Sequence, residues 1–507
     1  DFSLRLELLP ISGAPGLQSF AITEWQGHWL LMGGRKDGLH QRQPFAAFDE
    51  AGQNDRVYVL HPETGQSWSA PLTSLPAAIA EQLSSTNLEF SRKGDVLYLI
   101  GGYGYSATAA EHITHPQLLA VQVSGLIQAI QQGASDLKPY FLALNDQRMA
   151  VTGGQLAELG GAFYLVGGQR FDGRYNPMNH PTFTQTYTDA IRIFTIENTG
   201  ASLSIGNYRE WKNADQLHRR DYNMAAQIFP NGQPGLTAFS GVFQVAQDVP
   251  WLHPVDIDTS GYTPQPAFFQ YLNHYHCAHA QLYQAGENQM HTVFFGGMAQ
   301  YTLDAAGQLV QDDNVPFVRT IARVTRFADG RLEEVKLPVE LPELLGAGAE
   351  FIPNPGLPAY ANGVLRMDEF SGDSVLLGYI FGGIKSPQAN IFFTNIPSAA
   401  TPAAYRVWWR RPTSAVHEQA VANPLRLLVT PNPTSGELLI NYQLEEKQAV
   451  RIRIFHASGR LLGEFDEGAP AAGPHFLKLE TSGMPNGYLI VQLQAGNQQS
   501  TRKILLE

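Results

Sequence analysis

The sequence predicts an all-β fold, in which a β-propeller of six blades is followed by a small antiparallel β-sandwich. Three observations predict this fold. An apolar strand that ends in a glycine pair recurs along most of the chain, and a second short pattern precedes most copies of it. The 48 glycines and 32 prolines also supply the turns that many short strands need.

The glycine pair is the strongest repeated signal in the sequence. In each copy a run of apolar residues, such as Leu97 to Ile100, leads directly into the pair. Glycine lets the chain leave a strand where a side chain would clash with a neighbouring backbone. The predicted blade glycines are Gly33, Gly34, Gly101, Gly102, Gly167, Gly168, Gly296, Gly297, Gly382 and Gly383, with Gly241 after Ser240 as a degraded copy.

The second pattern consists of small residues followed by Gln or Glu and then an apolar residue. Its recurrence at equivalent places is typical of structural side chains, so we expect this row to bond neighbouring blades rather than to form a site. The polar positions are Glu89, Gln155, Gln227, Gln281 and Glu350.

Each repeat has room for four strands, which is the make-up of a propeller blade. A lone four-stranded sheet cannot bury both of its faces, so the blades must pack around a common axis. Residues 2–9 form a spare alternating strand before the first repeat. We expect this strand to pair with the last blade and to close the ring, which removes an open sheet edge.

The hydrophobic run into a glycine pair, with a later aromatic strand and a tryptophan, resembles kelch repeats over residues 1–412. The resemblance implies a kelch-like β-propeller. The repeats are longer than a compact kelch unit because of insertions at residues 169–188, 242–274 and 353–373. Long loops on a rigid scaffold are where recognition usually occurs.

The pattern changes after residue 412. Residues 413–423 are expected to be a linker, and residues 424–507 a separate small sandwich with alternating strands such as 450–455. This segment resembles the type A C-terminal sorting domain of the type IX secretion system of Bacteroidota. The matching residues are Pro431, Asn432, Pro433, Gly436, Gly459, Arg460, Gly487, Tyr488 and Lys503.

The resemblance implies an exported protein. A leader would carry the chain to the periplasm, and a start at Asp1 without Met is expected once a signal peptide has been removed, or after the chain has been trimmed. The implied partners are the outer-membrane translocon, its shuttle protein and a surface sortase-type peptidase that removes the domain within the linker. The cargo is then secreted, or attached at the cell surface to lipopolysaccharide.

Charge and composition exclude other classes of protein. The net charge of −12, without a Lys/Arg cluster, argues against nucleic acid as the partner. There is no apolar run long enough for a membrane-spanning helix. Because Cys277 is the only cysteine, the chain has no intramolecular disulfide and no cysteine-based zinc site.

Few residues carry a chemical signal. His274 and His276 are weak metal-ligand candidates, because they would share one face if they lay on a strand, with His279 on the other face. The alternative, which we favour, is that these histidines bond to backbone or water. We predict no catalytic residue, no cofactor-binding residue and no cofactor. Residues 256–258 and 311–314 are acidic, and we interpret them as solvated turns rather than calcium sites.

Two further groups are candidates for ligand contacts. Residues 218–222 bring two arginines towards a loop face, where they would hold an anionic sugar or carboxylate, or pair with the acidic surface. Six aromatic side chains lie in or beside loops, where they would stack on sugars or simply pack: Trp25, Tyr103, Tyr105, Phe171, Tyr175 and Tyr301.

The sequence therefore predicts a secreted or cell-surface binding protein that is not an enzyme. Its propeller would bind a glycan or a protein partner through the loop-rich face. The alternatives are a propeller enzyme, either a copper oxidase like galactose oxidase or a sialic-acid epimerase, both of which kelch folds include, and a surface structural module without a ligand.

Overall fold

A computed structural model describes residues 2–40, 46–176, 182–391, 394, 396–411, 419–420 and 423–507. The fold is all-β, with 52% strand and 7% helix, and combines a propeller-like array of sheets with a C-terminal β domain. Within the described residues, six sheets each contribute four strands to the blades of the propeller. The six-bladed all-β fold predicted from the repeats is therefore confirmed.

The strands follow one another in chain order. After β1 (Ser3–Leu9), blade one comprises β2 (Ala21–Trp25), β3 (His28–Met32), β4 (Arg56–His61) and β5 (Gln66–Pro71). Blade two comprises β6 (Thr86–Lys93), β7 (Val96–Ser106), β9 (Gln117–Gln122) and β10 (Phe141–Asn145), with β8 (Glu111–Thr114) paired to β7. Blade three comprises β11 (Gln155–Leu159), β12 (Ala162–Val166), β15 (Ala190–Asn198) and β16 (Leu203–Lys212), with the hairpin β13 (Gln169–Gly173) and β14 (Phe183–Tyr187) beside it.

The remaining blades are built in the same way. Blade four comprises β17 (Asn223–Ile228), β18 (Pro234–Phe239), β19 (Val255–Ile257) and β20 (Tyr262–Pro264). Blade five comprises β21 (His279–Gln284), β22 (Gln289–Phe295), β25 (Thr320–Arg326) and β26 (Leu332–Glu340), and carries the inserted hairpin β23 (Tyr301–Leu303) and β24 (Leu309–Gln311). Blade six comprises β27 (Leu344–Pro353), β29 (Ser374–Ser386) and β31 (Ala404–Arg410), with the short strands β28 (Leu365–Arg366) and β30 (Ala399–Ala400) nearby.

Helices are few and short. Those in the described part of the chain are α1 (Ala77–Leu83), α2 (Val123–Gln131) and α3 (Ala214–Leu217), with 3-10 turns at Glu50–Gly52, Leu72–Ser74, Lys138–Tyr140, Gln147–Met149 and Met367–Glu369. None of the helices in these ranges has the length and apolar character needed to cross a bilayer.

The N-terminal strand completes the last blade, as predicted. β1 pairs antiparallel with β31 from Ser3 opposite Arg410 to Leu9 opposite Ala404. Blade six therefore takes its outermost strand from the start of the chain and its other strands from the end of the propeller. This arrangement joins the two ends of the ring and covers the edge that β31 would otherwise expose.

A hydrogen bond at each glycine pair joins every blade to the next. The backbone N–H of the second residue of the pair donates to a carbonyl that lies just before or at the start of the next inner strand. The donor and acceptor residues are Gly34 and Ser85, Gly102 and Val151, Gly168 and Arg219, Gly241 and His274, Gly297 and Leu345, and Gly383 and Leu17, with N–O distances between 2.7 and 3.2 Å. The last bond returns to blade one, so the series is closed.

The packing at these junctions leaves no space for a side chain. A Cβ built on Gly101 would lie 1.7 Å from the carbonyl oxygen of Val151 in the next blade, and Gly101 has a φ of +65°. Both observations require glycine at this position. Apolar side chains fill the space between neighbouring blades; the cluster that contains Leu30 and Leu97, for example, joins blades one and two.

The polar row makes contacts between blades, as its recurrence predicts. Glu89 Oε1 accepts from the Gly154 N–H at 2.8 Å, and Gln155 Nε2 donates to the Tyr222 carbonyl at 3.3 Å. Gln227 Nε2 donates to Thr292 Oγ1 at 3.0 Å. Gln281 differs, since its amide donates to the His279 carbonyl within its own strand.

The C-terminal segment folds as a sandwich of two sheets around its own apolar core. Its strands are β33 (Leu428–Thr430), β34 (Glu437–Leu444), β35 (Val450–His456), β36 (Leu461–Gly468), β37 (Gly473–Glu480), β38 (Gly487–Ala495) and β39 (Gln498–Leu506). The predicted linker, residues 413–423, lies mostly outside the described residues, apart from β32 (Gln419–Ala420) and Asn423. The domain boundaries at 412 and 424 therefore stay a prediction.

The junctions between blades predict the effect of one substitution. Gly101→Ala places its methyl group on the Val151 carbonyl and is expected to lower the free energy of unfolding of the propeller by about 3 kcal/mol or more. Gly94→Ala is the matched control, because Gly94 also has a positive φ but has no atom within 4 Å of its added Cβ. Its expected loss is about 1–2 kcal/mol. Calorimetry of the two variants measures the difference, and equal losses would contradict the packing described here.

Candidate functional site

A cavity of about 240 Å³ opens at one end of the propeller axis and is lined from every blade. The residues that directly follow the glycine pairs supply much of its wall. In five blades these residues are Arg35, Tyr103, Gln169, Met298 and Ile384, and in blade four the lining residue is Phe243, two positions after Gly241. The repeat that builds the ring thus also places one side chain from each blade in the wall of this cavity.

One side of the cavity is an aromatic wall, defined here as Phe48, Tyr103, Phe171 and Tyr175. The ring centroid of Tyr103 lies 5.0 Å from that of Phe48 and 5.0 Å from that of Phe171, in edge-to-face geometry. The Tyr103 hydroxyl donates to the Gly173 carbonyl at 2.7 Å, which fixes the ring. Such a wall offers apolar faces to the C–H groups of a ligand.

Arg35 is almost fully buried beside this wall, with 2% of its surface exposed. Its guanidinium donates from Nε to Asp37 Oδ1 at 2.7 Å and from Nη2 to Asp37 Oδ2 at 2.5 Å. It also donates to the Asp49 carbonyl at 2.7 Å and lies over the Phe48 ring. These contacts hold Arg35 in place and connect it to the loop that carries Phe48.

Arg220 and Asp221 form the polar side of the cavity, where blade four begins. Arg220 donates from Nη1 to Asp221 and from Nε to the Tyr187 hydroxyl at 3.0 Å, and its guanidinium lies over the Phe243 ring. Burial is the largest single effect on Arg220 and opposes its charge, but Asp221, Tyr187 and Tyr275 together outweigh burial and raise the pKa of Arg220 above its usual value. The guanidinium therefore stays charged.

Asp221 also ties neighbouring blades together around the axis. Its carboxylate accepts from Asn87 Nδ2 at 3.3 Å, and its backbone N–H donates to the Gly153 carbonyl at 2.8 Å. Its own carbonyl accepts from the His276 N–H at 2.9 Å. The Arg220–Asp221 pair is thus held in a fixed position by blades two, three and five.

His276 lies next to Asp221, with Glu350 of blade six behind it. Its Nε2 is 3.1 Å from Glu350 Oε1, and their side chains are 17% and 11% exposed. Burial lowers the pKa of His276, but the Glu350 carboxylate, with a smaller contribution from Asp221, more than compensates, so the pKa is raised above its usual value. His276 is consequently protonated over a wider pH range than an ordinary histidine.

Basic groups outnumber acidic ones around the cavity. Among the described lining residues, the basic side chains are Arg35, His40, Arg220 and His276, whereas the acidic one is Asp221. The chain as a whole carries a net charge of −12. Acidic partners offset this difference, because Arg35 pairs with Asp37, Arg220 with Asp221 and His276 with Glu350. The cavity therefore offers a ligand charged hydrogen-bond donors whose positive charges are locally balanced.

The two candidate histidines, His274 and His276, have different contacts in the structure. Both residues precede β21 instead of lying on a strand, so the alternation of side chains does not apply to them. His274 is fully buried; its Nδ1 accepts from the Gln300 N–H and its Nε2 faces the Gln270 carbonyl, both at 2.9 Å. Burial also lowers the pKa of His274 to about 4. Nowhere in the described ranges do three or more His, Cys, Asp or Glu residues cluster as metal ligands would.

Cys277 packs as a small apolar side chain. It is fully buried in a cluster with Ala225, Phe239, Phe294 and Val324, and burial raises the pKa of its thiol to about 12. A thiol in this state is a poor nucleophile.

Of the six aromatic candidates, Tyr103, Phe171 and Tyr175 line the cavity. Trp25 packs against the core between blades one and two, and Tyr301 is buried near the C-terminal sandwich. Sequence reasoning missed Arg35, Phe48 and Gln169. The position directly after a glycine pair was a signal that would have found Arg35 and Gln169.

Two acidic segments differ from the prediction of solvated turns. Asp256 is buried and accepts from Arg326 Nη2 at 2.6 Å. Asp313 contacts Asn432 of the C-terminal sandwich. Asp258 does cap an exposed turn, because its carboxylate accepts from the Ser260 N–H at 2.7 Å. Asp256 and Asp313 contact residues far away in the chain, Arg326 and Asn432. Local sequence does not show such contacts, so the prediction of solvated turns was wrong at these two residues.

The sandwich places its motif residues in separate parts of the domain. Pro431, Asn432 and Pro433 follow β33, and Gly436 precedes β34. Gly459 and Arg460 form the turn between β35 and β36. Gly487 and Tyr488 begin β38, where Lys503 Nζ of β39 lies 3.9 Å from the centroid of the Tyr488 ring.

Comparison with known proteins identifies the sandwich. The family model described as the secretion system C-terminal sorting domain matches residues 428–507. The C-terminal segment is a secretion sorting domain. The chain is accordingly cargo that the type IX secretion system delivers to the cell surface or the extracellular space.

The propeller has more distant similarities. The solved structure of YjhT covers 81% of this chain and 99% of its own, with a TM-score of 0.44 and 10% sequence identity. No curated protein matches the chain.

The His276–Glu350 pair predicts a measurable titration. In the intact protein His276 is expected to lose its proton above the ordinary histidine pKa of about 6.5. Glu350→Gln removes the carboxylate and leaves the effect of burial, so the pKa is expected to fall below that value. NMR of isotope-labelled histidine measures both. Glu369→Gln, an exposed carboxylate paired with Arg366, is the control. An unchanged His276 pKa in Glu350→Gln would contradict the assignment.

Proposed function

We propose that this protein is a type IX cargo whose propeller binds a small acidic sugar in the axial cavity. The proposal rests on one observation, which is that the charged Arg220 and the aromatic wall line the same cavity. A guanidinium recognises a carboxylate, and aromatic faces stack against the apolar face of a sugar ring. The cavity volume of about 240 Å³ lies below the range for drug-sized ligands, which favours a single sugar unit.

The export route is part of the same proposal. The sorting domain would dock on the outer-membrane translocon and its shuttle protein, and a surface sortase-type peptidase would remove it within residues 413–423. We also propose that the propeller is kelch-like, on the basis of its glycine-pair repeats, and that the source is a member of the Bacteroidota, which the type IX sorting domain implies. Released cargo and cargo attached to lipopolysaccharide would both present the cavity outside the cell.

A second candidate function is a sugar-modifying enzyme of the sialic-acid epimerase kind. The observation that favours it is the pair of His276 and Glu350 beside Asp221, which provides an acid and a base next to a bound sugar. NMR of sialic acids incubated with the protein separates the two candidates. Interconversion of sugar isomers that is lost in His276→Asn would establish the enzyme, and binding without interconversion the binding protein.

Sugar binding is tested by calorimetric titration of the full chain. We expect acidic monosaccharides such as N-acetylneuraminate and glucuronate to bind, and neutral galactose and glucose to bind much more weakly. Arg220→Gln removes a charge-assisted contact and is expected to weaken binding by about 10- to 100-fold. Arg170→Gln, at an exposed arginine paired with Asp172, is the matched control. Equal affinity for neutral sugars, or no effect of Arg220→Gln, would overturn the proposed ligand class.

Export is tested by expression in a host with a functional type IX system, with and without residues 424–507. The intact chain is expected in the outer fraction and the truncated chain in the periplasm. Intact mass analysis should give a mature product that ends within residues 413–423. A mature product that retains the sorting domain, or export of the truncated chain, would contradict the proposed role of this domain.

A further inference from the structure

The propeller and the sorting domain share one continuous sheet. β24, in the hairpin inserted into blade five, pairs parallel with β39, the last strand of the sorting domain, with Val310 opposite Lys503. Among the described strands the order of this sheet is β23-β24-β39-β38-β35-β36. The hairpin therefore adds two propeller strands to an edge that the sorting domain would otherwise expose.

Asn432, in the middle of the sorting motif, bonds to both domains. It is 2% exposed. Its side-chain amide donates to the Gln311 carbonyl, and its carbonyl accepts from the Asp313 N–H at 2.6 Å. Its backbone N–H donates to Asp313 Oδ2 at 2.5 Å, while its Oδ1 accepts from the Leu505 N–H at 2.7 Å. The buried Asn432 side chain thus links the last residue of β24 to β39, and the Asn432 backbone bonds to Asp313 in the loop after β24.

Two propeller side chains orient the Asp313 carboxylate towards Asn432. Gln300 Nε2 and Gln311 Nε2 both donate to Asp313 Oδ1, at 2.6 and 2.8 Å, which leaves Oδ2 directed at the Asn432 N–H. Without the sorting domain, Oδ2 and the Asp313 N–H would lose these partners. Buried polar groups that lose their partners are costly, so the two surfaces are complementary.

Cationic side chains of the sorting domain make a second set of contacts. Arg502 is 1% exposed, and its guanidinium carbon lies 5.7 Å from the ring centroid of Tyr271 and 6.0 Å from that of Tyr301. Arg426 donates to the carbonyls of Pro266 and Ala267, both at 2.8 Å. Desolvated cation–π contacts and hydrogen bonds from a charged donor are among the stronger polar interactions.

Apolar packing completes the interface. Leu428 of β33 packs against a buried propeller cluster that includes Leu252, Tyr271, Tyr301 and Leu309. The interface therefore combines strand addition, buried hydrogen bonds, cation–π contacts and an apolar centre. These are the features of a protein–protein interface that holds without a covalent connection.

We propose that residues 301–313 are a docking element that keeps the sorting domain bound to the propeller without the linker. Cleavage of the linker then leaves a noncovalent complex. Release of the sorting domain requires β39 to separate from β24 and Asn432 to leave Asp313. In the docked state the edge of β39 and the centre of the sorting motif are covered, so a partner that binds this edge must first displace the propeller.

The test is a cleavage experiment on the full chain. A site for a specific protease replaces residues 413–418, and the cut protein is examined by size-exclusion chromatography and native mass spectrometry at 1 μM, on the order of the affinity scale of specific interfaces. The two fragments are expected to elute together. Asp313→Ala and Asn432→Ala are each expected to weaken the complex by about 10- to 100-fold, so that the fragments separate.

Two controls distinguish loss of the interface from unfolding of either domain. Asp329→Ala removes an aspartate that caps an exposed turn away from the interface, and its cut fragments are expected to stay together. Hydrogen exchange on each uncut variant shows whether both cores remain folded while the amide of residue 313, which bonds across the interface, loses protection. Separation of the cut wild-type fragments, each still folded, would overturn the proposal. Joint elution of folded Asp313→Ala and Asn432→Ala fragments would overturn the assigned contacts.

Discussion

The close contact between blades at the glycine pairs is the constraint on which the rest of the propeller depends. At Gly101 the next blade's carbonyl occupies the place of a side chain, and the following glycine amide bonds to that same carbonyl. The equivalent bond at Gly383 returns to Leu17 in front of blade one. Because each blade is positioned by its neighbour in this way, the geometry of the axis follows from a backbone contact and not from any one core side chain.

The same contact determines what the axial cavity is made of. In five of the six blades the residue that directly follows the glycine pair is part of the cavity wall. Arg35 and Tyr103 occupy this position in blades one and two, whereas blades five and six place Met298 and Ile384 there. At this position the side chains are therefore polar or aromatic in blades one to three and apolar in blades five and six. A regular ring thus supports an asymmetric site, which is what recognition of one ligand requires.

Much of the fold follows from local sequence patterns, while most of the site does not. Glycine pairs, alternating strands and the sorting motif predict the six blades, the pairing of β1 and the C-terminal sandwich, because each pattern reflects a local backbone requirement. The roles of His276 and Asp313 depend instead on residues far away in the chain, Glu350 and Asn432. Strand alternation predicts one shared face for His274 and His276, but both lie in the loop before β21, where the buried His274 faces the Gln270 carbonyl. Contacts between distant segments are set by tertiary packing, which periodicity does not encode.

The most direct test of acidic-sugar binding in the axial cavity is a crystal structure of the full chain soaked with N-acetylneuraminate. One sugar is expected in the axial cavity, with its carboxylate within hydrogen-bond distance of Arg220 and its ring against Tyr103 and Phe171. A sugar bound on the outer loops, or a cavity that stays free of sugar when calorimetry shows saturation, would contradict it.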